Sequence, residues 1–324
     1  MYVRIAVFKF ADLNFFPLSQ SRGMSLLHLP IELLTELFEH LWDDHQALSA
    51  CTLTCRRLQP VCQKALFFLI TLDTVAPRAE SRVDLLSRLE WLFRESPRLV
   101  SYVVRLDIKI AGQHSLQFLM TCSVALRNLT YLRDLRILGS SRSQVSWKEF
   151  YYPLQSLIMD VIRGRTLTRV CLRNITGMPT APFLGSSIHQ LSLSSVLWND
   201  AQASETAPAK TPSLQSLNIT LQDTQDSLST IDHLLSKNSP FDLNELQSLR
   251  ILVRFKIRSD VHLIKIRKLL SQVAGTLKYL WIHCNLEGQL HILIKVVPPS
   301  DFLRTRSRLS RLWITNLSHV KNLR

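Results

Sequence analysis

A six-residue pattern, apolar-x-x-apolar-x-apolar, recurs eight times after about residue 100. It reads Val103-x-x-Leu106-x-Ile108, Leu132-x-x-Leu135-x-Ile137, Leu167-x-x-Val170-x-Leu172 and Ile188-x-x-Leu191-x-Leu193 in the first half of that zone. Leu214-x-x-Leu217-x-Ile219, Leu246-x-x-Leu249-x-Ile251, Leu277-x-x-Leu280-x-Ile282 and Leu309-x-x-Leu312-x-Ile314 follow, with 21 to 35 residues between successive starts. The period-2 end of each copy predicts a strand with one buried face. Helical spacing of apolar residues fills the gaps at Gln113–Leu129, Trp147–Ile162, Ser227–Lys237 and Asp260–Val273. Each strand–helix unit has an apolar face that only a stacked neighbour can cover. The expected fold is therefore α/β, an irregular repeat array over 100–324 with a curved parallel sheet and outer helices. Ser140–Ser146 and Asn199–Ser213 read as loops, and the alternation of Leu249–Arg258 predicts one long strand.

The front of the chain follows a different period. Ile31, Leu33, Leu34, Leu37, Phe38 and Leu41 recur at helical spacing, with Glu32, Glu36 and Glu39 between them, and Pro30 suits the first helical turn. Asp43 or Asp44 can cap a second helix carrying Leu48, Cys51 and Leu53. Leu58, Val61, Cys62, Ala65 and Leu66 make a third. Three short helices in 24–72 form a unit too small to hide its apolar surface alone, so it calls for a partner or a neighbouring domain. A helical linker is expected over 73–99, about Val75–Pro97, and a flexible extension over 1–23.

Composition narrows the functions. Leucine supplies 59 of 324 residues, whereas glycine supplies 8, and neither G-x-G-x-x-G nor G-x-x-x-x-G-K-[ST] occurs. The net charge of +14 favours acidic partners. Six scattered cysteines without a C-x-x-C pair suit reduced thiols and a cytoplasmic or nuclear location. No 18-residue apolar run predicts a membrane span. His45, Cys51 and Cys55 lie close in sequence but lack the second ligand pair of a zinc site, and no Ser/His/Asp or Cys/His spacing supports catalysis. The expectation is a non-enzyme without metal or cofactor.

Residues alternating with the apolar triplets should share the outward face of the sheet, expected to be the concave surface of the curved array. They begin basic (Arg105, Asp107, Lys109, Asp134, Arg136, Arg169, Cys171, Arg173) and turn small and polar (Gln190, Ser192, Ser194, Ser216, Asn218, Thr220, Ser248). They end with Arg250 and an aromatic group, Tyr279, Trp281, His283 and Trp313. Trp281 and Trp313 occupy equivalent repeat positions, so they are expected to neighbour each other on adjacent strands. Arginine and tryptophan anchor interfaces more than other residues do. The candidate target-binding set is Arg105, Arg136, Arg169, Arg173, Arg250, Tyr279, Trp281 and Trp313.

Leu29-Pro30-Ile31-Glu32-Leu33-Leu34-x-x-Leu37-Phe38-x-x-Leu41, followed by Leu48-Ser49-x-Cys51-x-Leu53-x-Cys55-Arg56-Arg57-Leu58, resembles an F-box. The departure is Leu58, where that family often carries Trp or Phe. With the leucine-rich array behind it, the chain is similar to divergent F-box/leucine-rich-repeat proteins of fungi. The resemblance implies a substrate adaptor of an SCF-type (Skp1-cullin-F-box) ubiquitin ligase. Leu29, Pro30, Ile31, Leu33 and Leu37 would then face a Skp1-like linker protein within the cullin complex, and the repeats would hold a protein target, acidic if it complements the basic surface. The alternatives are a leucine-rich scaffold that does not dock on a ligase and, ranked lower, a basic repeat protein associated with nucleic acid.

Overall fold

The computed structural model describes residues 29–295, apart from 42–43, 74–79, 111–125, 127–128, 141–143, 151, 200–210, 223–224, 237–238, 255–259 and 285–289. The 1–23 extension, most of the expected Gln113–Leu129 helix and the eighth repeat with Trp313 lie outside the described residues. The chain is α/β, with helices and a largely parallel sheet, and divides into two compact units between Gly177 and Met178.

The first unit opens with α1 (Ile31–Glu39), α2 (His45–Thr54) and α3 (Gln59–Phe67). Pro30 sits one place ahead of α1, as its cap residue rather than in its first turn, and its carbonyl accepts the Leu34 N–H at 3.1 Å. Asp44 caps α2 by accepting the Ala47 N–H at 2.9 Å. The three helices share a small core of Leu34, Phe38, Leu48, Leu58, Val61, Cys62 and Ala65. Leu58, the departure from the family pattern, is thus a core residue. Immediately after α3 the chain enters β1 (Leu69–Asp73), which pairs in parallel with β2 (Arg105–Ile110). The expected boundary at residue 72 therefore cuts a strand of the sheet. The apolar triplet was present there too, as Phe67-x-x-Ile70-x-Leu72, hidden by its continuity with the preceding helix. Between these strands the expected linker helix forms as α4 (Glu80–Glu95) and a short α5 (Pro97–Val100).

β3 (Asp134–Gly139), β4 (Val145–Ser146) and β5 (Arg169–Pro179) complete the strands of this unit. β1, β2, β3 and β5 lie side by side, and β4 pairs with the far end of β5. The expected helix from Trp147 forms instead as a single 3-10 turn, Trp147–Glu149, followed by α6 (Tyr152–Arg163). Pro153 has no N–H to continue a helix running through from Trp147, but fits the first turn of a new one. Gln155 spans the break, its side-chain amide donating to the carbonyls of Trp147 and Phe150 at 2.9 and 2.7 Å. Asn174 bends β5 in the left-handed region at φ 54°, and its amide donates to the Ser140 carbonyl at 2.7 Å. Opposite it the backbone passes so close that a Cβ on Gly139 would meet the Asn174 carbonyl oxygen at 2.2 Å. Only glycine fits there.

The second unit has β6 (Gln190–Asn199), β7 (Ser216–Leu221), β8 (Ser248–Val253) and β9 (Tyr279–Cys284) in parallel. α7 (Gln225–Leu235) packs against β6, where the Thr230 hydroxyl donates to the Val196 carbonyl at 2.8 Å, and α8 (Asp260–Val273) packs against α7. Of the strand expected over Leu249–Arg258, β8 covers the residues up to Val253, the Arg254 N–H still donates to the Leu221 carbonyl of β7 at 3.0 Å, and 255–258 lie outside the described residues. One expectation needs correction: the sheet is not wholly parallel, since β10 (Leu290–Lys295) runs antiparallel to β9.

Every described repeat places its strand two residues after the triplet begins, and none of the twenty-one triplet residues is more than 8% exposed. Register follows from the repeat. Leu106 aligns with Leu135 and Val170, and Leu191 with Leu217, Leu249 and Leu280. A one-residue slip would turn every one of these side chains to the opposite face.

Candidate interaction surfaces

α1 carries more apolar surface than its core can cover. At about 100° per residue, its apolar positions sweep roughly 160° of the helix. Leu34 and Phe38 lie between Leu37 and Ile31 in that sector and are buried. Leu33, Leu37 and Ile31 flank them and remain 49%, 42% and 48% exposed. Pro30 is exposed as well, whereas Leu29 packs partly against the helical core. Arg57 ties this end down by donating from its guanidinium to the Leu29 carbonyl at 3.0 Å. Four of the five residues carried by the resemblance are thus exposed, but on both flanks of the buried pair, Leu33 and Leu37 on one and Ile31 on the other.

The outward face of β2, β3 and β5 is an ionic checkerboard. Register sets Arg105, Asp134 and Arg169 in one row and Asp107, Arg136 and Cys171 in the next. Arg105 binds Asp107 through two hydrogen bonds of 2.8 Å. Arg136 reaches Asp134 at 3.4 Å and Asp107 at 3.9 Å, and Arg169 reaches Asp134 at 3.6 Å. The Asp107 hydrogen bond pushes the Arg105 pKa further above its ordinary value, with burial opposing and the charge of Asp107 adding to the rise. Both aspartates are buried. Arg105, Arg136 and Arg169 were expected to offer positive charge to a partner, but the protein's own carboxylates already hold them. The alternation placed Asp107 and Asp134 on this face; only the register brings Arg136 next to Asp107. Arg173, half-buried, lies one row on with Lys109 and Leu138.

The outward face of β6–β9 has no such balance. One row across it reads Ser192, Asn218, Arg250, Trp281. The Arg250 guanidinium carbon lies 3.8 Å from the centroid of the Trp281 ring, a cation–π contact worth about 0.5–1 kcal/mol at an exposed site. Trp281 also stacks on His283, with centroids 5.4 Å apart and planes 7° from parallel. Tyr279, two residues earlier on the same face, is 56% exposed. Arg250, Tyr279 and Trp281 are therefore brought together, and His283 extends the ledge. The expected pairing of Trp281 with Trp313 on adjacent strands does not hold, because β8 and β10 fill both edges of β9 and the register partner of Trp281 on the β10 side is Leu293.

Other chemistry finds little support in the geometry. Cys51, Cys55, Cys62 and Cys171 are free thiols. Burial, with nearby Cys51, pushes the Cys62 pKa up to about 11, which keeps it neutral as a core group. Among the described residues no three His, Cys, Asp or Glu side chains are grouped to hold a metal. A hollow between β2, β3 and α6 is lined by leucine, isoleucine and valine, with Leu106, Leu135 and Ile158 among them, and presents no polar group. Among the described residues no helix is long and apolar enough to cross a membrane. No protein-family model, curated protein or solved structure matches the chain.

Proposed function

We propose that this chain is a substrate adaptor of an SCF-type ubiquitin ligase, docking a Skp1-like linker protein through α1 and holding a target on the outward face of its repeated strands. The observation that carries this reading is the division of labour within α1. Leu34 and Phe38 are used up in the core, while Pro30, Leu33 and Leu37, which match the F-box pattern, stay exposed together with Ile31. Covering the exposed half of each such leucine is worth about 1 kcal/mol. The adaptor performs no bond-making step; the ubiquitin-transfer chemistry belongs to its partners. The ionic checkerboard speaks against the nucleic-acid reading, since three of the arginines that would neutralise phosphates already face aspartates.

The test is co-purification of the full chain with Skp1. A Leu33→Glu/Leu37→Glu variant changes only exposed positions, so it should keep the wild-type thermal unfolding midpoint while recovery of Skp1 drops about tenfold or more. Undiminished recovery by the variant would overturn α1 as the docking element, and failure of the wild-type chain to recover Skp1 would leave the scaffold reading, in which the helical layer serves only its own chain.

A further inference from the structure

The outward face of β6–β9 differs from a generic solvated sheet in two independent ways. From Gln190 to His283, its outward strand positions among the described residues include no aspartate or glutamate, although Arg250 stands exposed in the middle of the row. The aromatic group, moreover, is concentrated on one strand, with Tyr279, Trp281 and His283 in consecutive outward positions beside Ser248, Arg250 and Leu252 of β8. A guanidinium that meets an indole with its flat face keeps the N–H groups at its edge free for a carboxylate.

We propose that this face binds an extended acidic peptide in which a carboxylate adjoins an aromatic or apolar residue. The carboxylate pairs with Arg250, and the apolar residue lies on Trp281 and Tyr279. This names the class of target for the adaptor described above and rests on that reading for its consequence in ubiquitination, though not for the binding itself. Four strands at about 4.8 Å spacing span about 14 Å from β6 to β9, the reach of about four extended residues. Small side chains at Ser192 and Asn218 keep that row low over β6 and β7, so the peptide backbone can cross them and meet first Arg250 and then the aromatic ledge. Single-stranded nucleic acid fits less well, because stacking platforms for it combine aromatics with several cations along a groove. Here Arg250 is the one arginine among the described outward strand positions of β6–β9.

The test is selection of a random library of about twelve-residue peptides, displayed on phage, against the full chain. The enriched sequences should place Asp or Glu next to an aromatic, leucine or proline residue. In fluorescence anisotropy the best of them should lose about tenfold or more in affinity on Arg250→Glu and on Trp281→Ala. Tyr279→Ala, at a largely exposed position, tests the aromatic ledge even where Trp281→Ala loosens β9. Selection against Arg250→Glu should switch the enriched charge from acidic to basic. Arg267→Glu, an exposed position on α8 with the same change of charge, should alter neither result.

No enrichment, enrichment without acidic residues, or affinity indifferent to Arg250→Glu would overturn the proposal. So would tighter, Arg250-dependent binding of a mixed-sequence single-stranded oligonucleotide, which would assign the face to nucleic acid. No Skp1 enters these assays, so their failure is distinguishable from failure of α1 docking, which the co-purification reads alone.

Discussion

β2, β3 and β5 in one unit and β6–β9 in the other bury the same kind of apolar triplet on one face, yet their opposite faces have little in common. On the first, Arg105, Arg136 and Arg169 pair with Asp107 and Asp134 within 4.0 Å. On the second, Arg250 lies against Trp281, and no carboxylate stands in its row. The triplets are held to one chemistry because each must be buried by its neighbours. The positions between them carry no such constraint, so one face can be committed to the stability of the chain and the other left for a partner. Arginine content alone does not tell the two apart.

The largest test of this contrast is Asp134→Ala. It leaves Arg105, Arg136 and Arg169 without their shared carboxylate, and because those arginines are a quarter to a half exposed the cost should be about 2–3 kcal/mol in chemical denaturation. An unchanged midpoint would mean that the checkerboard is as idle as an ordinary surface ion pair. Asn218→Asp makes the opposite change, giving the second face a carboxylate beside Arg250. Stability should move by less than about 0.5 kcal/mol, while affinity for an acidic peptide should fall about tenfold. Arg250→Ala should cost less than about 1 kcal/mol of stability, the worth of its contact with the indole; a larger loss in denaturation would show that Arg250 belongs to the fold rather than to a partner.

The smallest effect comes from a group on neither face. Cys62 has a pKa pushed from 9.0 up to about 11 in the folded chain, so the unfolded chain gives up the proton first. Stability should be indifferent to this thiol below pH 9, fall as pH rises from 9 towards 11, and lose that component of the slope in Cys62→Ala. Denaturation midpoints measured across that range check it.

Much of the architecture was legible in the chain. Triplet spacing located seven described strands, and α8 begins and ends at the Asp260 and Val273 read from periodicity. Phe67–Leu72 was missed because the triplet there runs on from a helical pattern, and period alone does not separate the end of one from the start of the other. The break before Tyr152 was readable in Pro153. The candidate surfaces were legible only in part. Alternation listed the residues of each outward face and the helical period assembled the α1 stripe, but which of the stripe's leucines stay exposed depends on where α2 and α3 pack.

The sequence by itself determined the repeated strand, its buried triplets and the membership of each face, because these depend on local period and hydrophobicity. Tertiary structure decided that Arg136 lies beside Asp107, that Arg250 lies on Trp281, and that β10 rather than a parallel strand with Trp313 borders β9. These are contacts between residues some thirty positions apart or on strands of opposite direction. They follow from register and strand order, which the burial of the whole sheet selects and no short stretch of chain encodes.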